Sequence, residues 1–157
     1  MDICILLGSK SDLHVSDKCT AILEEFNIDH EVRVASAHRA PKYLEEIIDG
    51  AIADGCKIFI GMAGMAAALP GVIASMTTLP VIGVPVGGKV PLDSLLSIVQ
   101  MPPGMPVATV GVDRGDNAAV LAIQMLALGD DELASNLAVW RKDRTAKVIA
   151  DDESLRE

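Results

Sequence analysis

Aromatic side chains make up only 3% of the 157 residues of this chain. Ile, Val, Leu, Met and Ala must therefore fill its core, and hydrophobic residues reach 50%. That mixture suits a parallel sheet whose strands are buried on both faces by helices. Basic runs are also missing, and the net charge is −9. A nucleic-acid partner is excluded, because displacing phosphate counterions needs clustered Lys and Arg. The same lack argues against a membrane surface. No apolar run reaches membrane-spanning length before Gly, Pro or a charge interrupts it. An anionic small molecule stays compatible, given helix N-termini and one well-placed Arg.

Cysteine is sparse. Cys4, Cys19 and Cys56 are too far apart for a CxxC pair or a zinc knuckle. They are expected to be buried small hydrophobes in a reducing, cytoplasmic compartment, with no signal peptide ahead of them. No metal-ligand cluster is present. Asp113, Asp116, Asp130 and Asp131 fall at expected helix starts, where carboxylates are favoured anyway. Neither GxxxxGK[ST] nor GxGxxG occurs, nor a nucleophile elbow. What remains is acid–base chemistry through a histidine, with no cofactor.

The apolar pattern alternates strand with helix. Strands are expected at Ile3–Leu7, Glu31–Val34, Lys57–Ile60, Pro80–Val84 and Val107–Val110. Helices are expected over Leu13–Phe26, from Pro41 through Ile52, up to about Ser75, over Leu92–Val99 and over Asn117–Leu128. A last helix runs from Asp131 to about Ile149 and is expected to pack on a neighbouring subunit. The length fits one catalytic domain over 1–157. The expected fold is α/β: a three-layer αβα sandwich on a central parallel sheet of about five strands, flavodoxin-like in plan. Sites in such sheets lie beyond the carboxyl ends of the strands.

Four loops are expected at that edge, Gly8–Asp12, Ala35–Ala40, Gly61–Ala67 and Val86–Pro91, and the first three carry candidate groups. Gly8-Ser9-Lys10-Ser11-Asp12 sets hydroxyls and backbone N–H groups at a helix start, an anion site in kind. Taken alone it is an ordinary capped turn, with Asp12 as N-cap. Ser36-Ala37-His38-Arg39 offers a proton carrier beside a forked donor. Alone it is equally a polar surface loop. His14 and His30 read as surface or interface residues. The stretch from Gly61 to Gly71 has almost no polar side chains. Its use would lie in backbone approach, with Ala63 and Gly64 as binding positions and Met65 and Leu69 beside them. Asp93, Ser94, Ser97 and Gln100 lie near the site or at a subunit contact.

Four strings in order resemble a known family: Gly8–Asp12, Ser36–Arg39, Leu69-Pro70-Gly71, and the run from Leu92 to Pro102, with Asn117-Ala118-Ala119 beyond. They are similar to the N5-carboxyaminoimidazole ribonucleotide mutases and phosphoribosylaminoimidazole carboxylases of purine biosynthesis. The resemblance implies a carboxyl shift on an aminoimidazole ribonucleotide, from the exocyclic amine to ring carbon 4. It implies release and recapture of carbon dioxide in a closed site, a homo-octamer, and no metal or organic cofactor. His38 would be the catalytic proton carrier. Ser9, Ser36 and Arg39 would hold phosphate or carboxylate, Asp12 would orient the ribose, and Ser11 would assist. Two positions depart from the family pattern: Met65 replaces a Gly and Ala68 replaces a His. The direct carboxylases also lack that His, whereas Arg39 stands where they carry Lys. Direct carboxylation with free carbon dioxide, and an inactive nucleotide-binding octamer, are the alternatives.

Overall fold

The computed structural model describes residues 1–156. Five strands and six helices follow one another as β1 (Ile3–Leu7), α1 (Leu13–Glu25), β2 (His30–Val34), α2 (Pro41–Ala53), β3 (Ile58–Ala63), α3 (Leu69–Met76), β4 (Val81–Pro85), α4 (Pro91–Val99), β5 (Ala108–Thr109), α5 (Gly115–Leu126) and α6 (Asp131–Ser154). All strand pairs are parallel, in the order β2-β1-β3-β4-β5. The expected five-stranded αβα architecture is the one observed. The order reverses between β1 and β3, so the chain ends of these strands diverge into a crevice.

The central strands read as unbroken apolar runs because both of their faces are covered. Every residue of β1, β3 and β4 is buried. β2 lies at the sheet edge and is only partly covered, which is why Glu31 and Arg33 are tolerated within it. Side chains alternate across a strand. Cys4, Leu6 and Phe59 therefore share one face, where they meet Leu44, Ile47 and Ile48 of α2, Ile73 of α3 and Ile98 of α4. Ile3, Ile5 and Leu7 point to the opposite face. There Gly115, at the start of α5, lies against the backbone of α1, and a Cβ at this position would collide with the Val15 carbonyl oxygen.

Cys4, Cys19 and Cys56 are all buried free thiols, as their apolar settings imply. Burial pushes the Cys4 and Cys19 thiols up to about 12. Expected and observed elements differ mainly at their ends. β5 shrinks to Ala108–Thr109. α5 begins earlier, at Gly115, and yields to a single 3-10 turn at Ala127–Gly129. α6 runs on to Ser154.

Contacts divide the chain into two units, Met1–Ala122 and Ile123–Glu157. In the second, the Asp130 carboxylate accepts the Leu133 N–H at 2.9 Å and caps α6. Arg144 stacks on Trp140 at 3.5 Å, and Lys147–Asp151 and Arg156–Asp152 pair one turn apart. Val139, Val148 and Ile149 are exposed along α6. Among the described residues, no helix is long and apolar enough to cross a membrane.

Candidate active site

The first loop is a closed hydrogen-bonded unit rather than a simple N-cap. Ser9 caps a 3-10 turn over Lys10–Asp12, and its Oγ accepts the Ser11 N–H at 3.3 Å. Asp12 reaches back so that its Oδ2 accepts the Ser9 N–H at 3.0 Å. The two form a capping box. The Ser11 hydroxyl donates to Ser9 Oγ at 3.0 Å and to Asp12 Oδ1 at 3.2 Å. Ser9 is thus the N-cap of this turn, while Asp12 stands at the N-cap position of α1, as expected, but with no side-chain hydrogen bond to that helix. Burial holds the Asp12 carboxyl above the usual carboxylate range, while hydrogen bonds from Ser11 and Ser9 oppose that shift.

Arg39 joins the second loop to the first. Its Nε donates to Ser36 Oγ at 3.1 Å, and its Nη2 donates to the Gly8 carbonyl oxygen at 2.9 Å. The Arg39 backbone N–H also donates to Ser36 Oγ, at 3.3 Å. Parallel pairing explains why the loops meet. Leu7 of β1 stands opposite Val34 of β2, and Ala35 N–H donates to the Leu7 carbonyl at 2.9 Å. Both chains therefore leave the sheet side by side. His38 is exposed on this same turn, one residue from Arg39.

β3 supplies the opposite wall. Gly8 N–H donates to the Met62 carbonyl at 3.0 Å. Ala63 pairs with Pro85 of β4, and its carbonyl accepts the Val86 N–H at 2.9 Å. Gly64 follows, where a Cβ would stand 3.3 Å from the Val86 carbonyl oxygen, so a side chain here would press on the neighbouring loop. Met65 is exposed and takes φ +56°. The Leu69 side chain packs into the core, so only its backbone is available at the loop.

A fourth loop, after β4, is held from two sides. Ser94 is fully buried and its hydroxyl donates to the Val86 carbonyl at 3.0 Å. That burial rules out a surface role for its side chain in this chain. Asp113 takes φ +57° and its Oδ1 accepts the Gly87 N–H at 2.8 Å. It lies before α5 and braces a loop instead of serving a helix start. The pairing spans 26 positions, which no local pattern signals. Asp93, Ser97 and Gln100 are exposed on or just after α4. His14 is exposed on α1 with Nδ1 2.9 Å from the Ser11 carbonyl oxygen, and His30 opens β2. Ser9, Ser11, Asp12, Ser36, His38, Arg39, Ala63 and Gly64 thus gather at one end of β1, β2 and β3. The exposed His38 imidazole and Arg39 guanidinium stand beside hydroxyls and backbone N–H groups, a set suited to an anionic substrate and to proton transfer.

The model of the AIR carboxylase family matches residues 2–147. The chain belongs to the AIR carboxylase family. Within this family it is 56% identical to the N5-carboxyaminoimidazole ribonucleotide mutase of Methanocaldococcus jannaschii, over 99% of this chain and 98% of that one. It is 45% identical to the N5-carboxyaminoimidazole ribonucleotide mutase of Saccharolobus solfataricus, over 94% and 95% of the two chains. The crystal structure of Treponema denticola PurE superposes with a TM-score of 0.88 at 28% identity, covering 99% of this chain and 98% of that one. These AIR carboxylase relatives span the whole fold, first loop to last helix.

Proposed function

We propose that this chain converts N5-carboxyaminoimidazole ribonucleotide to 4-carboxy-5-aminoimidazole ribonucleotide in purine biosynthesis. The observation that carries this reading is the Arg39 bridge to Gly8 and Ser36, which ties the loop holding His38 to the loop holding Ser9 and Asp12. Strong likeness to a mutase over 99% of the chain supports it.

His38 protonates the exocyclic nitrogen as the nitrogen–carboxyl bond breaks and its electron pair returns to nitrogen. Carbon dioxide is released into the site. Ring carbon 4 then attacks carbon dioxide, and His38 takes back the proton that carbon 4 loses. One group serves both steps because the proton given in the first is regained in the second. Arg39, Ser9 and Ser36 hold the substrate's phosphate or carboxylate, and Asp12 orients the ribose, with Ser11 beside it. The backbone of Ala63 and Gly64 closes the reacting end, where water would divert the intermediate. The working form is a cytoplasmic homo-octamer, with α6 packed on a neighbouring subunit.

The test offers purified protein N5-carboxyaminoimidazole ribonucleotide, and separately aminoimidazole ribonucleotide with bicarbonate. Rapid turnover of the first and slow turnover of the second is expected. The reverse order would overturn the mutase reading in favour of direct carboxylation, the alternative that Ala68 favours.

A further inference from the structure

Met65 occupies a position that its own side chain opposes. Its φ of +56° lies in the left-handed region, where a Cβ crowds the backbone and glycine fits best. Within one subunit burial offers no compensation, since Met65 is 73% exposed there. Backbone sterics and hydration of an apolar chain both act against methionine here, so fold stability does not account for it. Its location is specific. The Met62 carbonyl accepts Gly8 N–H, and Gly64 faces the Val86 carbonyl, so Met65 stands where the ends of β1, β3 and β4 converge. Between Gly61 and Leu69 the other long side chains, Met62 and Leu69, are buried, and the rest are alanine or glycine. Met65 is the one long exposed side chain on this loop, next to Gly64. Methionine is unbranched, flexible and apolar, and adapts to an irregular surface.

We propose that Met65 is the apolar cover that retains carbon dioxide between its release from nitrogen and its capture by carbon 4. This role rests on the mutase reading above. Carbon dioxide is neutral once the nitrogen–carboxyl bond has broken, so charged groups hold it poorly and enclosure must retain it. A thioether chain shuts out water without adding a proton donor or a nucleophile. Removing it leaves the bond-making groups in place but lets solution carbon dioxide exchange with the bound molecule.

The experiment supplies unlabelled N5-carboxyaminoimidazole ribonucleotide in buffer containing isotopically labelled bicarbonate and carbonic anhydrase. Label in the product carboxylate is read by mass spectrometry, and free aminoimidazole ribonucleotide is measured alongside. Wild type is expected to label weakly. Met65→Gly and Met65→Ala should label several-fold more and release aminoimidazole ribonucleotide, with KM little changed. Met65→Leu should stay near wild type. Met65→Gly should melt at or above the wild-type temperature, since glycine suits this φ. Weak labelling by Met65→Gly and Met65→Ala alike would overturn the role of Met65 while leaving the mutase reading intact. Complete labelling by wild type would overturn the closed-site reading, and the cover with it.

Discussion

Replacing Arg39 by alanine separates substrate binding from folding. The guanidinium has five N–H donors. Two of them reach Ser36 Oγ and the Gly8 carbonyl, and five minus two leaves three for an anion. Arg39 is exposed, so in the unliganded variant water takes the place of the guanidinium at Ser36 Oγ and the Gly8 carbonyl. The folding cost should therefore stay at or below about 1 kcal/mol, the range of exposed polar contacts. For a chain of this size that lowers Tm by no more than roughly 4 °C. Binding should suffer more. A hydrogen bond from a charged donor contributes about 1.5–3 kcal/mol, which at 1.4 kcal/mol per decade raises KM by roughly 10- to 150-fold. Arg39→Lys keeps the charge but loses the fork, so its KM should fall between those of wild type and Arg39→Ala. The assay is steady-state turnover of N5-carboxyaminoimidazole ribonucleotide, paired with thermal melting. An unchanged KM in Arg39→Ala would refute the binding role. A loss of far more than 4 °C in Tm with unchanged KM would make the bridge purely structural.

His38→Asn should keep the fold and KM but lower kcat by about a hundredfold to ten-thousandfold, the usual worth of a general acid–base group; wild-type turnover would remove His38 from the reaction. Burial raises the Asp12 carboxyl, so the folded state holds that proton more tightly than the unfolded chain. The stability this brings is full below the unfolded value of about 3.9 and is lost as pH rises through the raised folded value. Urea midpoints of wild type should therefore decline relative to Asp12→Asn as pH rises through that window, and parallel pH profiles would contradict the shift. Gly115→Ala drives a Cβ into the Val15 carbonyl of α1. Overpacking of that kind costs about 1–3 kcal/mol, so Tm should drop by several degrees, and a melt at or above wild type would show that the helices can separate freely.

Much of the fold was present in local pattern. Short apolar runs, breakers and amphipathic helices need only nearby residues, so the five strands and six helices appear in the expected order. Element ends were less certain, because tertiary pairing decides where a strand stops. β5 keeps only the two residues that pair with Ile82 and Gly83 of β4. Within the site, the residue types in Gly8–Asp12 and Ser36–Arg39 allowed an anion site and a proton carrier, but taken singly they allowed an ordinary capped turn and a polar surface loop as well. Their motif order pointed to the AIR carboxylase family, which the family model then matched over residues 2–147. Asp113 looks like a helix-start acid in the sequence because its partner, Gly87, is 26 positions away on another loop.

Composition and periodicity, acting through nearest neighbours, thus settled the α/β class and the burial of the three thiols. Strand order was not settled there, since pairing energy depends on partners far apart in the chain. Only the folded sheet puts β1 between β2 and β3 and so lets Arg39 reach Gly8, 31 positions away. The positive φ of Met65 likewise arises from the turn between β3 and α3, where chain direction is set by packing and not by the residue's own preference.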